Sequence, residues 1–249
     1  MFPDETMQET DMVPFSASAP VGGRVLVLAP HPDDETLGCG GSIRLLAEKG
    51  VPVKVLFLTR GDKALPGSGS SYSALREKEA KKALRILGIS DYEFFRYPDR
   101  ELYAGLDDMS AAVSARIDEF RPDTLYSPSV IDLNPDHRAA AGMALALQER
   151  YGLSVAFYEL TTPIRPNVLV DISGVFGLKR KAIKAYKSQL KITDYLRLVT
   201  ALNTYRTFTL GKKVSYAEAF WVLSGKWEAE KMLSWLHFGG LVSKKPHRC

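Results

Sequence analysis

The run "VLVLAPHPDDETLGCGGSIRLL", residues 25–46, decides the reading of the fold. Val25 to Ala29 carry no charge, as expected of a strand covered on both faces in a parallel sheet. The run ends abruptly in His31, Asp33, Asp34 and Glu35. Three glycines follow, Gly38, Gly40 and Gly41, and then a helix-like pattern at Ile43, Leu45 and Leu46, which predicts a helix near 40–49. In open α/β sheets ligands bind at the carboxyl ends of strands. An imidazole and clustered carboxylates gathered at such an end call for a positive charge to hold them together.

Outward from this run, apolar β-rich segments alternate with helix-period ones. Strands are expected at 51–59, 92–98, 123–129, 155–160 and 167–172, and helices at 73–87, 107–120 and 136–151. From Gly174 the pattern reads as mostly helical through about residue 237. The alternation predicts an α/β, Rossmann-like three-layer fold with a mostly parallel central sheet and a more helical C-terminal third. No Ser/Gly/Pro linker divides it, so residues 23–249 are expected to form a single domain.

With 33 basic and 29 acidic residues the net charge is +4, too mild to argue for a nucleic-acid partner. Two cysteines, Cys39 and Cys249, make no disulfide framework and suit a reducing cytoplasm. Residues 1–22 are acidic, with no basic n-region or apolar h-region, and read as a loosely ordered extension rather than a signal peptide. No apolar run approaches the ~20 residues that a transmembrane helix needs. The nearest, "MLSWLHFGGLV" (232–242), reads as a helix docked on the body or at a subunit contact, which leaves homo-oligomerisation open.

The glycines do not make a dinucleotide fingerprint. Ile43 stands where G-x-G-x-x-G needs its third glycine, and three acids sit badly beside a pyrophosphate. A metal is the better answer. His31 and Asp34, three apart on a tight turn, can converge on one cation, and zinc accepts both imidazole nitrogen and carboxylate oxygen. Of the four histidines, His237 lies in an apolar segment and His247 in the basic tail. His137 follows the fourth strand at a helix start, again at a carboxyl edge, and is the one well-placed candidate for a third ligand.

"APHPDDETLGCGGSI" (29–43) resembles the signature of the PIG-L/LmbE-like deacetylases, zinc-dependent hydrolases of N-acetylglucosamine-type amides. "LTRGD" (58–62), "REKEAKKALRILG" (76–88), "YPDREL" (97–102), "DLNPDHRAA" (132–140), "VLVDIS" (168–173), "KAYKSQ" (184–189) and "YAEAF" (216–220) extend the likeness over about residues 24–222. The resemblance implies His31, Asp34 and His137 as zinc ligands, Asp33 as the general base toward zinc-activated water, and Arg76 and Asp99 as substrate contacts. Arg165, in "TPIRPN", is a further substrate-binding candidate. Members of the family often carry histidine where this chain has Asn134. An asparagine donates a hydrogen bond to an oxyanion but carries no proton near neutral pH, so it is either a catalytic donor or a helix cap.

Around these residues, Asp132 and Asp136 are expected to orient His137, Glu35 to brace the turn and Cys39 to fill a small buried space. The basic run Lys179, Arg180, Lys181, Lys184 and Lys187 reads as a solvated helix face. The expected function is a zinc-dependent N-deacetylase, one Zn²⁺ per chain or another divalent metal in its place. Its partner is a small-molecule N-acetylated amino sugar or glycoconjugate. The alternatives are a metal-dependent amidase for a non-sugar amide, and a metal- or sugar-binding protein without turnover.

Overall fold

The computed structural model describes residue 10, residues 13–64 and residues 69–225. The apolar segment 232–242 with His237, and the tail with His247, lie outside the described residues. Strands β1 (Val25–Ala29), β2 (Val53–Thr59), β3 (Asp91–Tyr97), β4 (Thr124–Pro128), β5 (Ser154–Tyr158), β6 (Val168–Asp171) and β7 (Ala217–Leu223) form one sheet in the order β3-β2-β1-β4-β5-β7-β6. The helices are α1 (Asp34–Glu48), α2 (Gly69–Leu87), α3 (Leu106–Phe120), α4 (Pro135–Tyr151), α5 (Phe176–Ile183), α6 (Lys187–Leu190) and α7 (Tyr195–Tyr205). The first five strands in sequence pair in parallel, and β7 runs antiparallel between β5 and β6.

Strand geometry sends alternate side chains to opposite faces. Val25, Val27 and Ala29 enter a core shared with α1, α2 and α5, while Leu26 and Leu28 enter a second core shared with α3 and α4. That is why β1 carries no polar residue: it is walled by helices on both sides. The chain leaves β1 toward β2 on one side and returns to β4 on the other. β1 and β4 therefore flank the point where the strand order reverses, and in such sheets the crevice beyond their carboxyl ends is the binding site.

Four expectations need correction. First, the stretch from Gly174 that reads as mostly helical also contains a strand inside the sheet, because "AEAFWVL" is β7. A short apolar run fits a buried strand and a buried helix alike. Here Phe220 faces one core and Trp221 the other, as alternation in a central strand requires.

Second, α1 begins at Asp34, before the glycines, and kinks at Cys39 (φ −134°, ψ 19°). The kink frees the N–H groups of Gly41 and Ser42, which donate to Glu218 at 2.7 Å each. The glycines serve close packing: a Cβ on Gly38 would lie 2.2 Å from the Tyr158 ring and one on Gly41 2.6 Å from Ile172.

Third, Lys179 is 0% exposed rather than solvated. Its Nζ donates to Glu218 at 2.6 Å and to Asn203 at 3.0 Å, joining α5, β7 and α7 at the kink in α1.

Fourth, part of the segment expected to be loose is tethered: Ser18 N donates to Leu169 O at 2.7 Å, and Tyr126 Oη to Val21 O at 2.8 Å. Among the described residues no helix is long and apolar enough to cross a membrane.

Removing one partner of a buried ion pair strands the other charge, at a cost of about 3–5 kcal/mol. Lys179→Met is therefore expected to destabilise the protein by that order in urea denaturation. Lys184→Met, on the exposed face of the same segment, should stay within about 0.5 kcal/mol of wild type. Equal effects would remove the network's role.

Candidate metal centre

The carboxyl end of β1 delivers His31 and Asp34, and the start of α4 delivers His137. His31 Nδ1 lies 3.2 Å from Asp34 Oδ2 and 3.1 Å from His137 Nε2, and His137 Nε2 lies 3.2 Å from Asp34 Oδ2. All three side chains are buried. The turn sets Asp34 in place, since the His31 backbone N–H donates to Asp34 Oδ2 at 2.8 Å.

What stands behind the rings decides what they offer in front. His31 Nε2 faces Asp99 Oδ1 at 2.8 Å and Asp136 Oδ2 at 3.3 Å, and His137 Nδ1 faces Asp132 Oδ1 at 3.0 Å. Carboxylates on those nitrogens call for N–H there, which leaves His31 Nδ1 and His137 Nε2 as lone pairs. Two imidazole lone pairs and a carboxylate oxygen then meet at 3.1–3.2 Å. They repel unless a cation or protons sit among them. This donor set, two nitrogens and one oxygen with outer carboxylates, fits a divalent metal of the zinc kind.

The expectation that Asp136 orients His137 is corrected. It lies against His31, its carboxylate held by the backbone N–H groups of Arg100 (2.6 Å) and Leu102 (3.2 Å). Asp132 does face His137, and it is fixed by Thr161 Oγ1 at 2.7 Å and by the Asn134 N–H at 2.9 Å.

Asp33 stands beside the cluster without joining it. Its backbone (φ 148°, ψ −22°) lies in a region that L-residues rarely adopt, a strain of order 1–3 kcal/mol that the surrounding bonds must hold. Its carbonyl accepts from Thr36 N and Leu37 N at 3.0 and 2.9 Å. Arg76, 2% exposed, reaches Asp33 Oδ1 at 3.0 Å while donating to Pro32 O (2.6 Å) and Gly61 O (2.9 Å). The guanidinium thus ties the loop after β1 to the loop after β2. A solvated role for Arg76 is excluded.

Burial raises the Asp33 pKa to about 6, with Arg76 opposing. Burial alone would raise Asp34 too, but the two imidazoles overcome it and hold that carboxylate ionised. For the imidazoles burial favours the neutral form. In the absence of a cation the carboxylates outweigh it, placing His31 well above its ordinary range and His137 at about 9. Glu35 braces the turn as expected: Tyr186 Oη and Thr36 Oγ1 each donate to its Oε1 at 2.5 Å, and burial raises it to about 7.

A pocket of about 620 Å³ opens over these groups. Its floor is polar, with His31, Asp33, Asp34, Arg76, Asp99, Asn134 and His137 together. Asn134 caps α4, its Oδ1 accepting from Asp136 N at 2.9 Å, and it also lines the pocket. Arg165 is half-buried and is not among the residues that line it.

The sequence reading missed Tyr195 and Arg100, both of which line the pocket. Burial, with Asp33 nearby, raises the Tyr195 pKa and keeps the phenol a proton donor. The spacing of Tyr195, Leu198, Val199 and Leu202 is legible as one helix face, but only the packing of α7 turns that face to the site.

Residues 26–147 match the family described as PIG-L, GlcNAc-PI de-N-acetylase. The chain is 31% identical over 184 residues to a probable N-acetyl-alpha-D-glucosaminyl L-malate deacetylase 2 of Bacillus cereus, a match that spans 66% of this chain and 83% of the relative. It is 29% identical over 190 residues to the diacetylchitobiose deacetylase of Thermococcus kodakarensis, 67% of this chain and 70% of that one. The structure of N,N'-diacetylchitobiose deacetylase from Pyrococcus horikoshii superposes with a TM-score of 0.71 at 25% identity, covering 89% of this chain and 88% of that one.

Raised histidine pKa values make a signed prediction for the metal-free protein. Pairing of the protonated His137 stabilises the fold in full below its ordinary pKa of 6.5 and is lost as pH rises through about 9. Melting temperature should fall over that window. A divalent metal needs the neutral rings, so its affinity should rise over the same window and reverse the trend. His137→Ala should shrink the metal-free fall in melting temperature to the part that His31 carries, and should weaken the stabilisation by zinc, in melting curves recorded with and without the metal. A variant that still bound zinc as tightly as wild type would remove His137 from the site.

Proposed function

The chain belongs to the PIG-L family of de-N-acetylases, and from that premise we propose that it is a metal-dependent hydrolase releasing acetate from an N-acetylglucosamine-type amino sugar or its conjugate. His31 Nδ1, Asp34 Oδ2 and His137 Nε2 would hold the metal, zinc being the ion that best matches them. When bound, such an ion acidifies water and draws electron density from the amide carbonyl.

One observation carries the reading: Asp33, strained and buried, beside three converging donors of which it is not one. A structural metal site has no use for such a carboxylate. Asp33 takes the proton of the attacking water and returns it to the departing amine, so that acetate and the free amino sugar leave. Arg76 holds Asp33 in that position and counters the charge of the neighbouring acids.

The Asn134 Oδ1 is engaged with Asp136 N, which fixes the amide and leaves its NH₂, on the opposite branch, as a donor for the developing oxyanion. Tyr195 Oη supplies a second donor from the opposite wall. Asp99 orients His31 through its 2.8 Å contact and accepts from a sugar hydroxyl with its remaining lone pairs.

Asp33→Asn preserves shape and removes the base. Metal content should persist while acetate release falls by ~10²–10⁴-fold across a panel of N-acetylglucosamine conjugates. Because Asp33 must be ionised to act and a bound cation lowers its pKa, wild-type kcat/KM should rise with pH along a limb at or below about 6. That limb should vanish in the variant. Equal turnover by the two proteins would end the proposal.

Asn134→Asp retains the capping oxygen but loses the N–H donors. Stability should change little while kcat drops ~10²–10³-fold. Asn134→Ala loses both, with ~0.5–2 kcal/mol of stability in addition. Wild-type kcat in Asn134→Asp would leave Asn134 only a cap.

A further inference from the structure

Charge is unevenly spread around the pocket. Tyr195, Leu198, Val199 and Leu202 give α7 an uncharged, mostly apolar wall, and Ile192 extends it. Beyond Ile192, which lines both, a second cavity of about 380 Å³ opens between α2 and α6. Lys187 and Lys191 line this cavity. The two spaces meet where Gln189, on the pocket's side, donates to Tyr72 Oη, on the cavity's, at 2.7 Å.

Outside the cavity the surface is cationic. On α2, Lys78, Lys81, Lys82 and Arg85 recur at i, i+3, i+4 and i+7, and all are exposed. Along α5, α6 and the residues after them, Arg180, Lys181, Lys184, Lys187 and Lys191 are exposed as well. The two rows share one face. α2 packs on α5, and the Glu79 carboxylate accepts from Ser188 N and Oγ at 3.0 and 2.6 Å. That contact uses the one acid in the cavity lining. No acid lies between Asp171 and Asp194 in the chain. Among the described residues, Lys81 alone of the nine cations has a carboxylate within 4.0 Å, that of Glu77. Arg96 already holds that carboxylate at 2.6 Å.

Like charges at i, i+3 and i, i+4 repel, so the rows weaken their own helices. Nine cations are more than twice the chain's net charge of +4, which leaves the rest of the molecule acidic on balance. A partner whose own charges repeat relieves that repulsion best. Seven of the nine are lysines, point charges without the planar fork that grips a single phosphate. Neither α2 nor the segment 176–192 exposes an aromatic ring on which a base would stack. Rows of cations with a cavity between them fit a chain better than a plane.

We propose that this cavity and the two cationic rows bind an acidic glycan, a chain in which N-acetylated amino sugars are interspersed with anionic residues. One amino sugar occupies the pocket, and the chain continues past Ile192 onto the lysines. The inference rests on the deacetylase reading for the sugar in the pocket, and it extends the substrate from a small molecule to a polymer.

The probe is hyaluronan, which alternates N-acetylglucosamine with glucuronate, as a tetrasaccharide and a dodecasaccharide. Its carboxyl-reduced form is the neutral counterpart. Binding of labelled oligosaccharides by anisotropy is measured beside acetate release, both with metal-loaded protein. At low salt the acidic dodecasaccharide should bind about ten- to a hundredfold more tightly than the neutral one, with kcat/KM raised by a similar factor. In molar salt, where charges are screened beyond ~3 Å, the two should converge. Lys184→Glu with Lys187→Glu should collapse the low-salt ratio, and so should Lys78→Glu with Lys82→Glu on the other row. Lys212→Glu with Lys213→Glu, exposed but on neither row, should leave it unchanged.

Equal binding and turnover of the acidic and neutral chains would overturn the surface and leave the hydrolase. Salt-sensitive binding that both charge reversals remove, with no acetate from any substrate, would keep the surface and overturn the hydrolase. A tetrasaccharide bound as tightly as the dodecasaccharide would reduce the surface to a site for one anion and overturn the polymer. Tighter binding to phosphatidylglycerol vesicles or to duplex DNA than to hyaluronan would overturn the glycan assignment.

Discussion

Two imidazole lone pairs and one carboxylate oxygen meeting at 3.1–3.2 Å are the constraint on which the rest of the site depends. Such an arrangement is unfavourable unless a cation or protons occupy it, and the protein has built it at the one place where loops from two diverging halves of the sheet meet. Asp99, Asp132 and Asp136 fix the rings from behind. Backbone N–H groups and hydroxyls fix those carboxylates in turn. Arg76 then offsets the surplus of negative charge and holds Asp33 apart from the donors.

The same economy of buried charge governs the frame. The kink at Cys39 brings the first turn of α1 into the site but breaks the helix ladder, and Glu218 on β7 caps the freed N–H groups. Glu218 is fully buried, so its charge requires Lys179, and Lys179 requires Asn203 on α7. One network therefore supports both sides of the pocket: the turn that carries Asp33 and Asp34, and the helix whose apolar stripe faces them. A change at the strand reaches that turn and the opposite wall together. The geometry is held as a unit.

Division of the pocket into a charged floor and an apolar wall follows from where each comes from in the fold. Strand ends and loops supply the floor, since polar side chains there are supported by backbone donors. A helix packed across the opening supplies the wall, and a helix that covers a body must turn a greasy face toward it. The superposed deacetylase structure shares the frame. In this chain the floor carries Asn134, an amide fixed by its own capping bond.

Much of this was legible before any coordinates. Local order and chemistry were written in the chain: an uncharged strand ending in "HPDDE", a second strand end ending in "NPDH", and alternation dense enough to require a parallel sheet. Those features pointed to His31, Asp34 and His137 as one cluster with Asp33 beside it, because strand ends of a parallel sheet share an edge. Three matters were decided only by tertiary structure, and each involves partners distant in sequence. Lys179 reads as a solvated lysine until Glu218, thirty-nine residues on, is seen to need it. The run "AEAFWVL" becomes a strand because β5 and β6 leave a gap that its backbone fills. Asp136, adjacent to His137, serves His31 instead, because the helix start points neighbouring side chains in different directions. Periodicity and spacing report what a segment offers, whereas charge pairing across the fold selects which of those offers is used.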